Sequence, residues 1–127
     1  MPKNKLIKIH TKFGIFDYQV ATVIGERDIA EEWIKKKLDI DDLGYNQDYD
    51  PLGVCHHRPG YIPVIWLPRV PETSREFGTL AHEVFHAVCH FHEWADIPMD
   101  RSTEELAAHT LAHVVTDILN KAAPNGK

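Results

Sequence analysis

Apolar and polar residues alternate along the first stretch of the chain. Ile7 and Ile9 alternate with Lys8 and His10, and Phe16, Tyr18 and Val20 alternate with Asp17 and Gln19. A period of two marks a half-buried strand, so residues 5–24 read as two strands. Gly14 predicts a hairpin turn near Thr11 to Gly14. The period then changes. Ile29, Trp33, Ile34 and Leu38 recur at helical spacing with Glu and Lys between them, which predicts a helix over 27–38. A polar stretch from Asp39 to Asp50 follows, closed by Pro51. Asp39, Asp41 and Gly44 fit a calcium loop, but Leu43 and Asp50 break the pattern, so the stretch reads as an acidic loop. Two short strands are predicted over 52–57 and 61–67, joined at Pro59-Gly60. Pro63 cannot donate to a ladder, which puts the second of them on a sheet edge.

Two helices complete the pattern. Thr73 followed by Glu76 is a capping-box start for a helix over 74–94, and Pro98 bounds its end. A last helix over 103–120 has Ser102 as cap and Leu106, Leu111, Val114, Val115 and Ile118 as its apolar face. Phe85, Phe91, Trp94, Trp33 and Trp66 read as core. Pro124 and Gly126 mark a frayed tail. The expected fold is α+β: a small, mostly antiparallel sheet with three helices, in one domain over 1–127. At 127 residues a chain buries roughly two-thirds of its unfolded surface, enough for one core.

Composition narrows the function classes. Apolar residues at 43% and charged residues at 26% are those of a globular protein. A net charge of −5 argues against nucleic acid or an anionic membrane as the main partner. Two cysteines, Cys55 and Cys89, are too few for a disulfide framework. No apolar run approaches a membrane span and the start lacks a signal-peptide core, so a cytoplasmic location is expected. The unusual count is nine histidines, six of which fall in 82–92 and 109–113.

The chemistry concentrates in His82-Glu83-Val84-Phe85-His86. Residues four apart lie one above the other on a helix face. Two imidazoles there can hold one Zn2+ ion at about 2.0–2.1 Å each. Glu83 flanks the metal without having to bind it, and can take a proton from the water that the metal activates. A shuffled chain of this composition would carry such a motif with a frequency of only roughly 0.04. The alternative is a solvated helix face that happens to carry two histidines. Cys55, His56 and His57 alternate across a strand and read as ordinary strand positions. His109 and His113 read as supporting or surface residues.

A catalytic zinc needs a third protein ligand and an open position. His92 completes a His-x3-His-x5-His spacing shared by the metzincins and by a family of metal-dependent endoribonucleases. In metzincins a glycine breaks the helix before the third His, and Cys89 stands at that place here. On a continuous helix His92 lies about 80° off the metal face. Glu104 or Glu105, at the start of the last helix, is the other source.

The segment Thr79-Leu80-Ala81-His-Glu-Val-Phe-His86-Ala87, followed by Glu104-Glu105-Leu-Ala-Ala-His109, resembles the minimal gluzincin-type peptidases common in phage and bacterial genomes. Ile65-Trp66-Leu67-Pro68 fits the same group, and the resemblance covers residues 52–119. It implies a zincin-like core, a zinc ion held by His82, His86 and one of the two glutamates, and hydrolysis of a peptide or protein substrate with Glu83 as general base. Glu105 is the expected ligand. Ala108 and Ala112 follow it at three and seven residues, a stripe that would let the last helix approach closely, and the group has small residues at both places. A competing role for Glu105 is a capping box with Ser102. The strand near Tyr61 to Leu67 is expected to hold an extended peptide at the sheet edge. The rival functions are an endoribonuclease using His82, His86 and His92, and a zinc-stabilised binding protein without turnover. Substrate identity and oligomeric state leave no trace in these residues.

Overall fold

The computed structural model describes residues 5–14, 16–44 and 51–123. Residues 45–50 of the acidic loop, and the tail with Pro124 and Gly126, lie outside the described residues. Strand β1 (Ile7–Lys12) follows its alternation: Ile9 and Thr11 are buried while Lys8, His10 and Lys12 are exposed. The turn lies slightly later than the glycine suggested. Phe13 N–H donates to the Tyr18 carbonyl and Phe16 N–H to that of Phe13, with Gly14 at φ 60°, where a side chain would be strained. Strand β2 (Gln19–Ile24) then pairs antiparallel with β1.

Helix α1 (Arg27–Leu38) has the predicted bounds. It buries Ala30, Ile34 and Leu38, one helical row, and it ends at Asp39 in the left-handed conformation. Strands β3 (Val54–His56) and β4 (Val64–Leu67) pair antiparallel with each other. β4 also pairs with β2, and that pairing is parallel. The sheet order is β1-β2-β4-β3, so the sheet is mixed and not simply antiparallel. Period two cannot report strand direction, and a connection carrying a helix is long enough to return the chain parallel.

The position of Pro63 corrects a second expectation. β4 is an inner strand, not an edge. Pro63 precedes its first residue and contributes only a carbonyl, which accepts from Ala21 N–H at 3.1 Å. A missing N–H costs nothing there. All four β4 residues are buried because both sheet faces are covered. Ile65 and Leu67 join Val20, Ile24 and the helices α2 (Ser74–Ala95) and α3 (Glu104–Ala122) in one core. Val64 and Trp66 join Ala21, Val23 and α1 in the other. The molecule is thus a three-layer α+β arrangement.

α2 opens with the predicted capping box: Glu76 N–H donates to Thr73 Oγ1 at 3.2 Å, and Thr73 N–H donates to Glu76 Oε1 at 3.0 Å. Its buried row is Leu80, Val84, Ala87, Val88 and Phe91. Each fully buried Leu, Val or Phe of this row contributes about 1.5–3 kcal/mol. Phe91 is core as expected, but Phe85 (48% exposed) and Trp94 (54%) lie on the outer face of the helix. α3 begins at Glu104 with Thr103 before it. Ser102 caps nothing; its hydroxyl donates to Asp100 at 2.6 Å, so no capping box with Glu105 forms. α3 covers the β1 edge of the sheet. Lys121 Nζ donates to the His10 carbonyl at 3.0 Å, His113 Nε2 meets the Lys12 carbonyl at 2.9 Å, and Thr11 Oγ1 donates to Asp117 at 2.7 Å. Covered edges do not recruit other strands. The other edge, β3, faces α2. Among the described residues no helix is long and apolar enough to cross a membrane.

Candidate metal centre

The buried row of α2 sets what its opposite face can do. With Leu80, Val84, Ala87 and Val88 turned inward, His82 and His86 are turned outward, one turn apart. Their Nε2 atoms are 3.2 Å from each other and the ring planes are at 79°. Two nitrogens bound to one tetrahedral ion at about 2.0–2.1 Å would be about 3.3–3.4 Å apart. That separation suits two ligands of one ion and equally a hydrogen bond from one ring to the other. His82, Glu83 and His86 form the one group of potential metal ligands among the described residues whose donor atoms lie within 4.8 Å of one another.

Glu83 differs from its neighbours in burial. Its side chain is 10% exposed against 67% for His82, and its Oε2 is 3.9 Å from His82 Nε2. The carboxylate also accepts a hydrogen bond from the Cys55 backbone N–H of edge strand β3. Burial raises its pKa above the ordinary glutamate range, while His82, His86 and the Cys55 N–H pull the other way. Such a carboxylate is held in one place and is more basic than a solvated one. The close approach of β3 to α2 depends on Gly53. A Cβ there would meet Thr79 Cγ2 at 2.9 Å and Leu67 Cδ2 at 3.1 Å.

The cluster has a cleft on each side. Toward the helix N-terminus an open cleft of about 420 Å³ is lined by Gly53, Arg75, Thr79, His82 and Glu83. Toward the C-terminus another of about 320 Å³ reaches His57, His90 and Trp94. His90 repeats the four-residue spacing of His82 and His86, a signal the sequence reading passed over. Its ring stacks on His57 at 3.7 Å. Burial lowers its pKa, with His57 and His86 adding to that and Glu93 opposing it.

The proposed third ligands are not assembled with the histidine pair. Glu105 is exposed and sits 3.2 Å from His109 Nε2. Ala112 of its small-residue stripe is exposed too, and the packed row of α3 is instead Ala107, Leu111 and Ile118. Glu104 heads that row and lines a groove with Phe85, Met99 and Leu111, between α2 and α3. His92 is buried, with Nδ1 3.3 Å from the Ile97 carbonyl. α2 runs unbroken through Cys89, as the missing glycine implied, so His92 turns away from the pair. Cys55, His56 and His57 do alternate: Cys55 packs toward the α2 core while His57 meets His90. No protein-family model, curated protein or solved structure matches the chain.

Proposed function

We propose that the protein is a zinc-dependent peptidase whose metal is held by His82 and His86 and whose general base is Glu83. The single observation that carries this reading is the 3.2 Å separation of the two Nε2 atoms beside a buried carboxylate. The donor set suits zinc, which takes imidazole nitrogen readily. When bound, zinc would polarise the scissile carbonyl and acidify water. The chain's own residues supply the rest. His82 and His86 would hold the ion from a rigid helix. Glu83, fixed by the Cys55 N–H, accepts a proton from the attacking water and returns it to the leaving amine.

A third ligand would have to come from the first turn of α3, whose glutamates are not assembled with the histidine pair in this structure. Glu104 is better placed there than Glu105, since it faces α2 while Glu105 pairs outward with His109. The extended substrate lies along β3, the sheet edge nearest the cluster, and not along β4. The two flanking clefts lie at opposite ends of such a path. The test is metal content. Elemental analysis should find about one zinc per chain, and none in His82→Ala or His86→Ala. Full occupancy in either variant refutes the site.

A further inference from the structure

The helix row that carries His82 and His86 continues. His90 follows at the same four-residue step, so its imidazole leaves α2 on nearly the same face, about 6 Å further along the axis. There it meets His57, the residue that follows β3. The two rings stack with centroids 3.7 Å apart and planes at 18°. Both are half-buried, and both line the cleft of about 320 Å³. Among the described residues neither ring has a hydrogen-bond partner, so their nitrogens are uncommitted. Glu93 lines the same cleft. It lies three residues after His90, on the same side of the helix, and acts on that ring electrostatically. Two imidazoles from different elements and a carboxylate thus open on one cavity.

From this convergence we infer that His57, His90 and Glu93 form a second site for a divalent transition-metal ion, zinc or another with its preference for imidazole. Nitrogens bound to one ion at about 2.0–2.1 Å stand about 3.3–3.4 Å apart. A small turn of the two rings out of their stack therefore aims both at one point. Glu93 is exposed, and its side chain has room to swing in and supply an oxygen. Burial favours the neutral form of the His90 ring, which is the form that ligates. Because the rings must first unstack, this site fills after that of His82 and His86 and gives up its ion on gel filtration. An ion here ties the end of β3 to α2. Paired ions that share one water stand about 3.5–4 Å apart, and the two sites are about 6 Å apart along the helix. The second ion therefore braces the sheet edge against the helix and takes no part in hydrolysis. The inference does not rest on the peptidase reading.

The experiment removes the first site and looks for the second. Metal-free, full-chain protein carrying His82→Ala and His86→Ala is titrated with Zn2+ by calorimetry. It should bind about one ion per chain. Adding His57→Ala and His90→Ala should weaken that binding by about tenfold or more, and Glu93→Gln alone should weaken it less. Zinc should raise the Tm of the His82→Ala/His86→Ala protein and not that of the fourfold variant. One further readout leaves His57, His90 and Glu93 intact: Cu2+ added to the His82→Ala/His86→Ala protein should show nitrogen couplings from two imidazoles in its electron paramagnetic resonance spectrum. No binding by the His82→Ala/His86→Ala protein, or binding that survives the loss of His57 and His90, overturns the site and leaves the stack as a packing contact. Zinc lost with His57 and His90 but not with His82 and His86 sustains this site and removes the first; the reverse removes this one.

Discussion

Adding one methyl group at Gly53 should disturb the centre from outside it. In Gly53→Ala the new Cβ would stand 2.9 Å from Thr79 Cγ2, 3.1 Å from Leu67 Cδ2 and 3.3 Å from the Trp66 carbonyl. Carbon atoms prefer about 3.5–4.0 Å, so the Thr79 overlap is on the order of 1 Å. Thr79 cannot readily turn aside. It is β-branched and stiff, and its hydroxyl donates to the Arg75 carbonyl at 3.0 Å. The β4 backbone is held on both sides. The strain is relieved by moving the start of β3 away from α2, and Cys55, two residues on, carries its N–H away from Glu83. Overpacking of this kind costs about 1–3 kcal/mol. At this chain length that lowers Tm by about 4–12 °C. Zinc affinity should be nearly unchanged, because His82 and His86 are not displaced. Hydrolysis should fall. With the N–H gone, one of the influences that lowers the Glu83 pKa is lost. A base acts deprotonated, so the acid limb of the pH–rate profile should move to higher pH. Thr79→Ser removes Cγ2 and should restore most of the stability in the double variant. Thermal denaturation and pH–rate profiles of the parent, Gly53→Ala and the double variant test this. A Gly53→Ala protein with the parent's Tm and activity would refute the role given to the β3–α2 approach.

Two other predictions concern neighbouring groups. Zinc titration of Glu104→Ala, Glu105→Ala and His92→Ala should show a loss of affinity of about 10-fold or more in Glu104→Ala and little change in the other two; a loss confined to His92→Ala would move the site to the three-histidine class. Burial holds the Cys55 thiol at a pKa of about 12 and raises that of Cys89 as well, so thiolate is scarce near neutrality and labelling with a disulfide reagent at about pH 8 should be much slower folded than unfolded. Rapid labelling of two thiols in the native protein contradicts that burial.

What was legible in the sequence was what local pattern controls. α1 and α2 begin where predicted, since amphipathic spacing and a capping box are local signals. The outward pairing of His82 with His86 follows from helix geometry alone. Other features depend on what the chain meets in space. The unbroken apolar run Val64-Ile65-Trp66-Leu67 is the mark of a strand covered on both faces, but nothing in it tells that β4 runs parallel to β2. Pro63 looked like an edge residue because its place just before the ladder was invisible. Phe85 and Trp94 looked like core by residue type, but the buried row of α2 runs through Leu80, Val84 and Phe91, and both lie off it. Which of Glu104 and Glu105 lies toward α2 depends on helix phase, which turns by about 100° with each residue at the start of α3. The contact of Cys55 N–H with Glu83 joins residues far apart in the chain and has no sequence signature.

The central claim is that Glu83 acts on a metal that His82 and His86 hold. Glu83→Gln keeps the shape of the side chain and removes its capacity to take a proton near neutral pH. Zinc content and hydrolysis of a peptide library should be measured on the same preparation of this variant and of the parent. The account predicts parental zinc with hydrolysis reduced by about 10²-fold or more. Parental zinc with parental hydrolysis would contradict it.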